Sequence, residues 1–372
     1  MQNISELRKM VDKTQRIYTS TVEGAFEEML RSALLQVDAA GVIKLAIFNK
    51  PTDNSGYRQD LATIDNVVKE IFGEQSPLTS YIAQKTSHGG ITVEATYITC
   101  SDATIEHHRN YRLITINGCT ELMTGGIVPR FDGGSTFEQS TDIFEGIAKM
   151  LQSNGFKPSD IYRQWNYIPG ITVLNDGSQN YQEFNDARSI FYGADNWTGG
   201  YPAATGIGTS AGGVVVEICA IKGEECANLP IDNPLQIAAH NYSQQVLDGK
   251  VIEQLSERTT PKFERARLLG ETVFISGTAA IKGECSNYST DAVEQAAETM
   301  KIMDRLTSKE NIPVENSGSQ YDLLRVYVKR ENDIPAVCDY MQKHYPAAMK
   351  HYLVADVCRP ELLIEIEGVA RI

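Results

Sequence analysis

Short hydrophobic stretches alternate with amphipathic ones along the chain, and this pattern predicts strands joined by helices. The clearest strand is TVFI at 272–275, which is β-branched and aromatic. The sequence SGT follows at 276–278, where glycine permits a bend, and a second apolar run leads to GECS at 283–286. Apolar residues then recur at helical spacing over 291–304, which predicts a helix. An acid, a thiol and hydroxyls therefore lie close to the best-defined strand.

The same order of segments occurs twice, which indicates an internal repeat. The tetrapeptide YPAA at 201–204 recurs at 345–348, and a terminal strand is predicted after each. The strand predicted at 112–118 is matched with 271–277, and Gln139 and Gln295 lie in matching helices. Each copy thus predicts one mixed sheet with two helices packed on one face.

The first hundred residues resemble a third, degenerate copy. Helices are predicted at 24–35 and 60–72, and strands at 42–48 and 91–98. The chain is accordingly divided into an N-terminal module (1–100), a middle module (101–225), a linker (226–262) and a C-terminal module (263–372). A charged helix is predicted within the linker at 242–257.

Composition narrows the class of partner. The 372 residues carry a net charge of −14, which argues against nucleic acid because a phosphate backbone needs a basic face. A few arginines in one cleft would still bind a small anion. The N-terminal segment is polar, and no run approaches the length of a membrane span, so we expect a cytoplasmic protein with no membrane partner.

The cysteines and glycines suggest neither a metal nor a cofactor. The seven cysteines form no CxxC pair and no Cys/His ligand spacing, so neither a metal site nor a disulfide framework is expected. No GxGxxG or P-loop pattern occurs, and therefore no nucleotide cofactor is expected.

The last 110 residues resemble the Rid (YjgF-like, endoribonuclease L-PSP-like) family. The resemblance lies in ISG at 275–277, VYVK at 326–329, YPA at 345–347 and IEIEGVA at 364–370. It implies an α/β (α+β) fold of chorismate-mutase-like modules, three of which form a barrel-cored trimer with ligands in the clefts between modules. A chain with three copies would form this assembly as a monomer with pseudo-threefold symmetry, or would associate further as a homo-oligomer.

The whole chain resembles more specifically the chorismatases. The matching motifs are WNYI at 165–168, YQxFxxxR at 181–188, PAATGIG at 202–208, NPxQ at 233–236, FxRA at 263–266, SGTA at 276–279 and CRxELLIEIEG at 358–368. The resemblance implies a hydrolase that cleaves the enolpyruvyl ether of chorismate and releases pyruvate. Such a substrate is a dianion, which calls for arginines, and its methylene carbon must be protonated by an acid with a raised pKa.

The resemblance also suggests the binding residues. Arg188 and Arg265 match family arginines and are expected to clamp the carboxylates, although each would also fit a structural role. The other residues expected to contact the substrate are Arg163, Arg359, Tyr181, Gly206, Ser276 and Thr278.

The position of the catalytic acid departs from the family pattern. Chorismatases have Gly-His-Glu where this chain has Gly283-Glu284-Cys285, so without a gap the family's glutamate falls on Cys285. Neighbours on a strand face opposite sides, but a bulge at Gly283 would return Glu284 to the cleft. A thiol with an ordinary pKa of about 8.5 is a poor acid at neutral pH. We therefore predict Glu284 as the acid, with Cys285 as the other catalytic candidate.

Two other functions fit the same modules. One is a non-catalytic or altered Rid-like protein that binds a small carboxylate between modules. The other is a Rid-type enamine or imine deaminase, whose usual arginine would fall near Lys350.

Overall fold

The structure is a computed structural model that describes residues 13–100, 102–223, 226, 228–253, 255–286 and 289–372. Within these residues three mixed sheets each carry two helices. Residues 1–12 of the predicted N-terminal module lie outside the described part of the chain. The predicted fold class, repeated α+β modules with helices on one face of mixed sheets, is confirmed.

The first sheet has the strand order β1-β5-β2-β3. Its elements are β1 (Lys13–Thr19), α1 (Phe26–Leu34), β2 (Val42–Asn49), α2 (Asn54–Phe72), β3 (Leu78–Ala83) and β5 (Thr92–Ile98). Helix α2 begins after Asp53, whose carboxylate accepts hydrogen bonds from the amides of Ser55 and Gly56. It connects the parallel strands β2 and β3.

The second sheet has the order β12-β9-β13-β8-β7-β6. Its strands are β6 (Thr104–His107), β7 (Tyr111–Ile116), β8 (Cys119–Thr124), β9 (Ile161–Pro169), β12 (Ala203–Thr209) and β13 (Val215–Lys222). Its helices are α3 (Thr136–Ser153) and α4 (Asn180–Tyr192), and a short hairpin, β10 (Leu174–Asn175) and β11 (Ser178–Gln179), precedes α4.

The third sheet has the order β14-β15-β16-β21-β19-β20-β4. Its strands are β4 (Lys85–Thr86), β14 (Asn228–Ile231), β15 (Ala266–Leu269), β16 (Thr272–Thr278), β19 (Gln320–Val328), β20 (Met349–Val354) and β21 (Ile364–Arg371). Its helices are α5 (Ala292–Leu306) and α6 (Ile334–His344), and a hairpin of β17 (Ile281–Lys282) and β18 (Cys285–Ser286) follows β16. Because β4 comes from the N-terminal module and pairs with β20, this sheet connects the N-terminal and C-terminal modules.

Strand pairing corrects two details of the predicted repeat. Each copy has an additional strand, β3, β12 or β20, that pairs in parallel with the strand preceding the helix that connects the two. In addition, the segment 112–118 corresponds to β15 rather than to 271–277, because β8 and β16 are the strands that pair with the terminal strands β13 and β21. The period-2 pattern marks buried strands but does not identify their neighbours.

The predicted helix at 242–257 is wrong. Its described residues form an irregular segment with one 3-10 helix, Gln244–Val246. Charged and apolar residues alternate there at helical spacing, but tertiary hydrogen bonds to the neighbouring modules hold the chain in another conformation.

The expectation that the cysteines form no disulfide is also wrong. Cys119 at the start of β8 is bonded to Cys226, 107 residues later. Antiparallel pairing of Lys222 with Thr120 brings the end of β13 beside the start of β8, which a survey of CxxC spacing cannot detect. Among the described residues, no helix is long and apolar enough to cross a membrane.

The faces of the sheets opposite the helices meet in a shared interior. Along β21, Ile364, Ile366 and Ala370 pack with the helices of their own sheet, so Glu365 and Glu367 face the other way. Two hydrophobic clusters in this interior take residues from all three sheets. The repeat therefore produces a core common to the modules as well as one core for each.

A cycle of ion pairs crosses this interior. Lys44 of the first sheet bonds Glu217 of the second at 2.7 Å, and Arg163 of the second bonds Glu367 of the third. Arg325 of the third sheet bonds Glu94 of the first at 2.7 Å and Glu367 at 2.9 Å. Each pair in the cycle Lys44–Glu217, Arg163–Glu367, Arg325–Glu94 joins two sheets, and the arrangement follows the predicted pseudo-threefold symmetry. Because buried ions are costly without a partner, the cycle selects this assembly of modules.

Candidate active site

A cavity of about 430 Å³ lies between the second and third sheets. Strands β12 and β16 meet at its floor, where the Ala204 amide donates to Ser276 Oγ at 2.9 Å and the Gly277 amide donates to Thr205 Oγ1 at 3.1 Å. Its volume is in the range of small-molecule sites. The cleft between two modules is thus a site for a small ligand.

Helix α4 presents a polar face to this cavity. Tyr181, Asn185 and Arg188 recur at helical spacing and line the cavity, whereas Phe184 and Phe191 pack into the core of the second sheet. Arg188 is 2% exposed, and its Nη2 donates to Asn185 Oδ1 at 2.6 Å. Its buried Nε has no hydrogen-bond partner among the described residues.

Two further guanidinium groups line the cavity. Arg265, just before β15, is 3% exposed and donates from Nη2 to the carbonyl of Ile237 at 2.6 Å and to the Tyr242 hydroxyl at 2.8 Å. Arg359, in the loop before β21, donates to the carbonyl of Glu284 and to Ser286 Oγ, both at 2.9 Å.

Arg188, Arg265 and Arg359 form no ion pair with a carboxylate in the part of the chain that the structure describes. Burying a cation without a counter-ion is costly. The arrangement therefore favours a ligand with more than one negative group.

Glu365 on β21 is an acid that the sequence interpretation missed. It lines the cavity, is 4% exposed, and makes no hydrogen bond or ion pair among the described residues. Burial and then the charge of Glu367 raise the pKa of Glu365 to about 8, while Arg163 acts in the opposite direction. A protonated carboxylic acid at neutral pH thus faces the same cavity as the three arginines.

Glu367, two residues along the same strand face, differs in its surroundings. It accepts hydrogen bonds from Arg163, Arg325, Thr205 and Tyr327. Burial alone would raise its pKa, but the two guanidinium groups lower it below the ordinary value. The sequence feature that could have identified both acids is the alternation of isoleucine and glutamate in IEIE. Residues two apart on a strand face the same side, so both carboxylates share the face away from the helices.

Glycine at position 277 allows the acid to lie against the strand. A Cβ atom there would be 2.1 Å from Glu365 Oε1, so a larger residue would displace the carboxylate. Glycine at position 206 similarly allows the Tyr181 ring to pack on β12, since a Cβ there would be 2.9 Å from Cε2 of that ring. The buried thiol of Cys358 also lines the cavity, and burial followed by the charge of Glu365 raises its pKa to about 12.

Six of the residues predicted from the sequence are brought together at the cavity. They are Arg188, Arg265, Arg359, Tyr181, Gly206 and Cys285.

Glu284 is not among them. The predicted strand through 283–285 is a two-residue turn between β17 and β18, with Gly283 at a φ of 63°. The Glu284 carboxylate accepts hydrogen bonds from the Ser243 amide and Oγ, both at 2.8 Å. These bonds lower its pKa, which corrects the prediction that Glu284 is an acid protonated near neutral pH.

Three other predicted residues also lie away from the cavity wall. Arg163 belongs to the ion-pair cycle. Ser276 donates to the Glu264 carbonyl at 2.6 Å, and Thr278 donates to the Ser276 carbonyl at 2.9 Å, so both hydroxyls stabilise β16. Sequence position placed these residues near the site but could not give the direction of their side chains.

Among the residues that the structure describes, no group of three or more His, Cys, Asp or Glu side chains could hold a metal ion. Three α+β modules around a shared interior, with a cation-lined cleft between two of them, define the class of protein.

Comparison with known proteins shows which proteins the chain is similar to. Residues 100–220 match the family described as "Chorismatase FkbO/Hyg5-like, N-terminal". A 3-hydroxybenzoate synthase of Streptomyces hygroscopicus is 28% identical over 277 residues, covering 72% of this chain and 79% of that protein. A chorismatase of Streptomyces rapamycinicus is 29% identical over 252 residues, covering 64% of this chain and 71% of that protein.

The fold agrees with these matches. A crystal structure of chorismatase superposes with a TM-score of 0.71 at 23% identity, covering 96% of this chain and 98% of that chain. The chain is similar in sequence to chorismatases and has the fold of one, which agrees with the resemblance of its sequence motifs.

Proposed function

We propose that this chain is a chorismatase-like hydrolase, which cleaves the enolpyruvyl ether of chorismate and releases pyruvate. The observation that carries the proposal is the buried carboxyl group of Glu365, whose pKa is raised to about 8, in one cavity with three guanidinium groups that have no carboxylate partner among the described residues. The similarity to proteins named chorismatase supports the choice of substrate.

The arginines account for binding. Chorismate carries two carboxylates, and Arg188 and Arg265 would each give one of them a charge-assisted hydrogen bond, with Arg359 at the same wall. The buried Nε atoms of Arg188 and Arg265 have no hydrogen-bond partner within the described part of the chain and are donors available for this role. Tyr181 would contact the ring of the substrate, as its side chain lies on the floor beside Gly206.

Glu365 accounts for the chemistry. Its proton is transferred to the methylene carbon of the enolpyruvyl group, which leaves positive charge on the adjacent carbon and the ether oxygen. The Glu365 carboxylate formed in this step stabilises that charge in a site of low dielectric constant. Water adds to the cation and returns a proton to Glu365, the hemiketal C–O bond breaks, and pyruvate leaves with the hydroxyl of the ring as the second product.

Incubation with chorismate in D₂O tests this reaction. Lactate dehydrogenase and NADH in the same vessel reduce pyruvate as it forms, which prevents later exchange of its methyl hydrogens. The proposal predicts lactate with one deuterium in the methyl group and no lactate with Glu365→Gln. Lactate formed at the wild-type rate by Glu365→Gln would refute the assigned acid, and no lactate from the wild type would refute the reaction.

The alternatives give different outcomes. A non-catalytic Rid-like protein would be stabilised against heat by chorismate without forming pyruvate. For a deaminase, the residue at the position of the family arginine is Lys350, whose Nζ donates to the carbonyls of Tyr345 and Ala348 at 2.7 and 2.8 Å rather than facing the cavity. We further propose a cytoplasmic enzyme in which one chain supplies all three modules.

A further inference from the structure

One wall of the cavity is an irregular segment, residues 233–262 without residue 254, which lies outside the described part of the chain. This covering segment contributes Tyr242, Gln245, Val246, Leu247, Asp248 and Pro261 to the lining. Its described residues contain two short 3-10 helices, Ala239–Asn241 and Gln244–Val246. Its position over the cavity therefore depends on tertiary contacts.

The covering segment is attached to both modules that form the cavity. On the middle module, Thr259 Oγ1 donates to Asp186 at 2.7 Å and the Lys250 amide donates to Ser178 Oγ at 3.1 Å. On the C-terminal module, the amide of Ile237 donates to the Gly283 carbonyl at 3.0 Å.

The strongest of these attachments involves Glu284. One carboxylate accepts both the amide and the hydroxyl of Ser243, each at 2.8 Å. Hydrogen bonds to a charged acceptor are stronger than those between neutral groups. The turn of the β17–β18 hairpin is thus bound to the centre of the covering segment.

Tyr242, the residue before Ser243, contacts two of the cavity arginines. Its hydroxyl accepts from Arg265 at 2.8 Å, and the guanidinium carbons of Arg265 and Arg359 both lie 5.6 Å from the centre of its ring. Arg359 in turn donates to the backbone carbonyl of Glu284. The turn, the segment and two ligand-binding arginines therefore form one network.

We propose that Glu284 is a positioning residue, whose bonds to Ser243 hold the covering segment so that Tyr242 aligns Arg265 and Arg359 for a dianionic ligand. The identity of the ligand rests on the proposed function, but the attachment itself does not. Glu284 acts through Ser243 and Tyr242, and it has no contact with the cavity. Its loss should weaken substrate binding and leave the chemical step intact.

Glu284→Gln tests this role because it removes the negative charge and one of the two carboxylate oxygens that accept hydrogen bonds from Ser243. The KM for chorismate should rise about tenfold, which is the loss of binding expected when one charge-assisted hydrogen bond is removed. The kcat should change less than about twofold. Ser243→Ala should raise KM by a smaller factor. The double variant should resemble Glu284→Gln alone, since the two residues share the same bonds. Glu271→Gln, an exposed acid at the β15–β16 turn, is the matched control and should behave as wild type.

Amide hydrogen exchange without ligand separates this proposal from the proposed reaction. Peptides spanning 238–250 should exchange faster in Glu284→Gln than in Glu271→Gln, with unchanged exchange in β16 and β21. Unchanged KM and exchange in Glu284→Gln would overturn the proposal. So would a loss of kcat with normal exchange, because Glu284 would then act on the reacting atoms. If the wild type releases no pyruvate, the proposed reaction fails, and the exchange measurement still decides whether Glu284 holds the segment.

Discussion

Replacing Glu365 by glutamine should stabilise the fold at neutral and alkaline pH while it abolishes turnover. The carboxyl has a pKa of about 8 in the folded protein against an ordinary value of 4.5. The folded state therefore binds the proton more tightly than the unfolded state. The corresponding stability is fully present below pH 4.5 and is lost as pH rises through the window up to about 8.

The size of the effect follows from the same two values. Each pKa unit corresponds to about 1.4 kcal/mol. The wild type should thus lose roughly 1 kcal/mol by pH 5, about 3 kcal/mol by pH 7 and close to 5 kcal/mol above pH 8, relative to acid conditions. Glutamine has nearly the same shape and does not titrate, so Glu365→Gln should escape this loss.

Urea unfolding of both proteins at about pH 5 and about pH 9 measures the effect. Other titrating groups contribute equally to both proteins, and any cost of burying the amide is independent of pH, so both cancel in the comparison. The stability of Glu365→Gln relative to wild type should increase by about 4 kcal/mol between the two pH values. A relative stability that does not change with pH would show that Glu365 is ionised in the folded protein, and would refute its role as the acid.

Two further predictions concern the arginines. Arg188→Ala or Arg265→Ala should weaken the binding of chorismate, measured by calorimetry with Glu365→Gln as background, by about 1.5–3 kcal/mol, and unchanged affinity would remove them from the site. Arg325→Met leaves two carboxylates of the ion-pair cycle without this partner and should lower the free energy of unfolding by about 3–5 kcal/mol. Arg130→Met, which breaks the pair of an exposed arginine with Asp142, should lower the free energy of unfolding much less in the same urea experiment, and equal losses would contradict the importance of burial.

Helices with one continuous apolar face were predictable from the sequence. Helix α5 was expected at 291–304 and occupies Ala292–Leu306, because its buried residues Ala296, Met300 and Met303 repeat at helical spacing. The terminal strands were predicted in the same way, because apolar residues alternate with a period of two along a strand. The parallel strands β12 and β20 were missed because β12 begins within YPAA and β20 directly follows it, so no turn separates either strand from that motif.

The binding residues were more predictable than the acid. Motif positions indicated Arg188 and Arg265, because a family arginine in a fixed motif needs no knowledge of side-chain direction. The acid was assigned to Glu284 by position after SGTA, although Gly283-Glu284 also fits a two-residue hairpin turn with glycine first. Reading it as a turn would have excluded Glu284 and left the alternating Glu365 and Glu367 as candidates. Which of those two is protonated depends on burial and on Arg163 and Arg325, which are distant from both acids in the sequence.

The most direct test compares pyruvate release from chorismate by Glu365→Gln and Glu284→Gln at saturating substrate. We predict no detectable turnover by Glu365→Gln and a kcat close to wild type for Glu284→Gln. The reverse result, an active Glu365→Gln and an inactive Glu284→Gln, would contradict the assignment of the acid and with it the proposed mechanism.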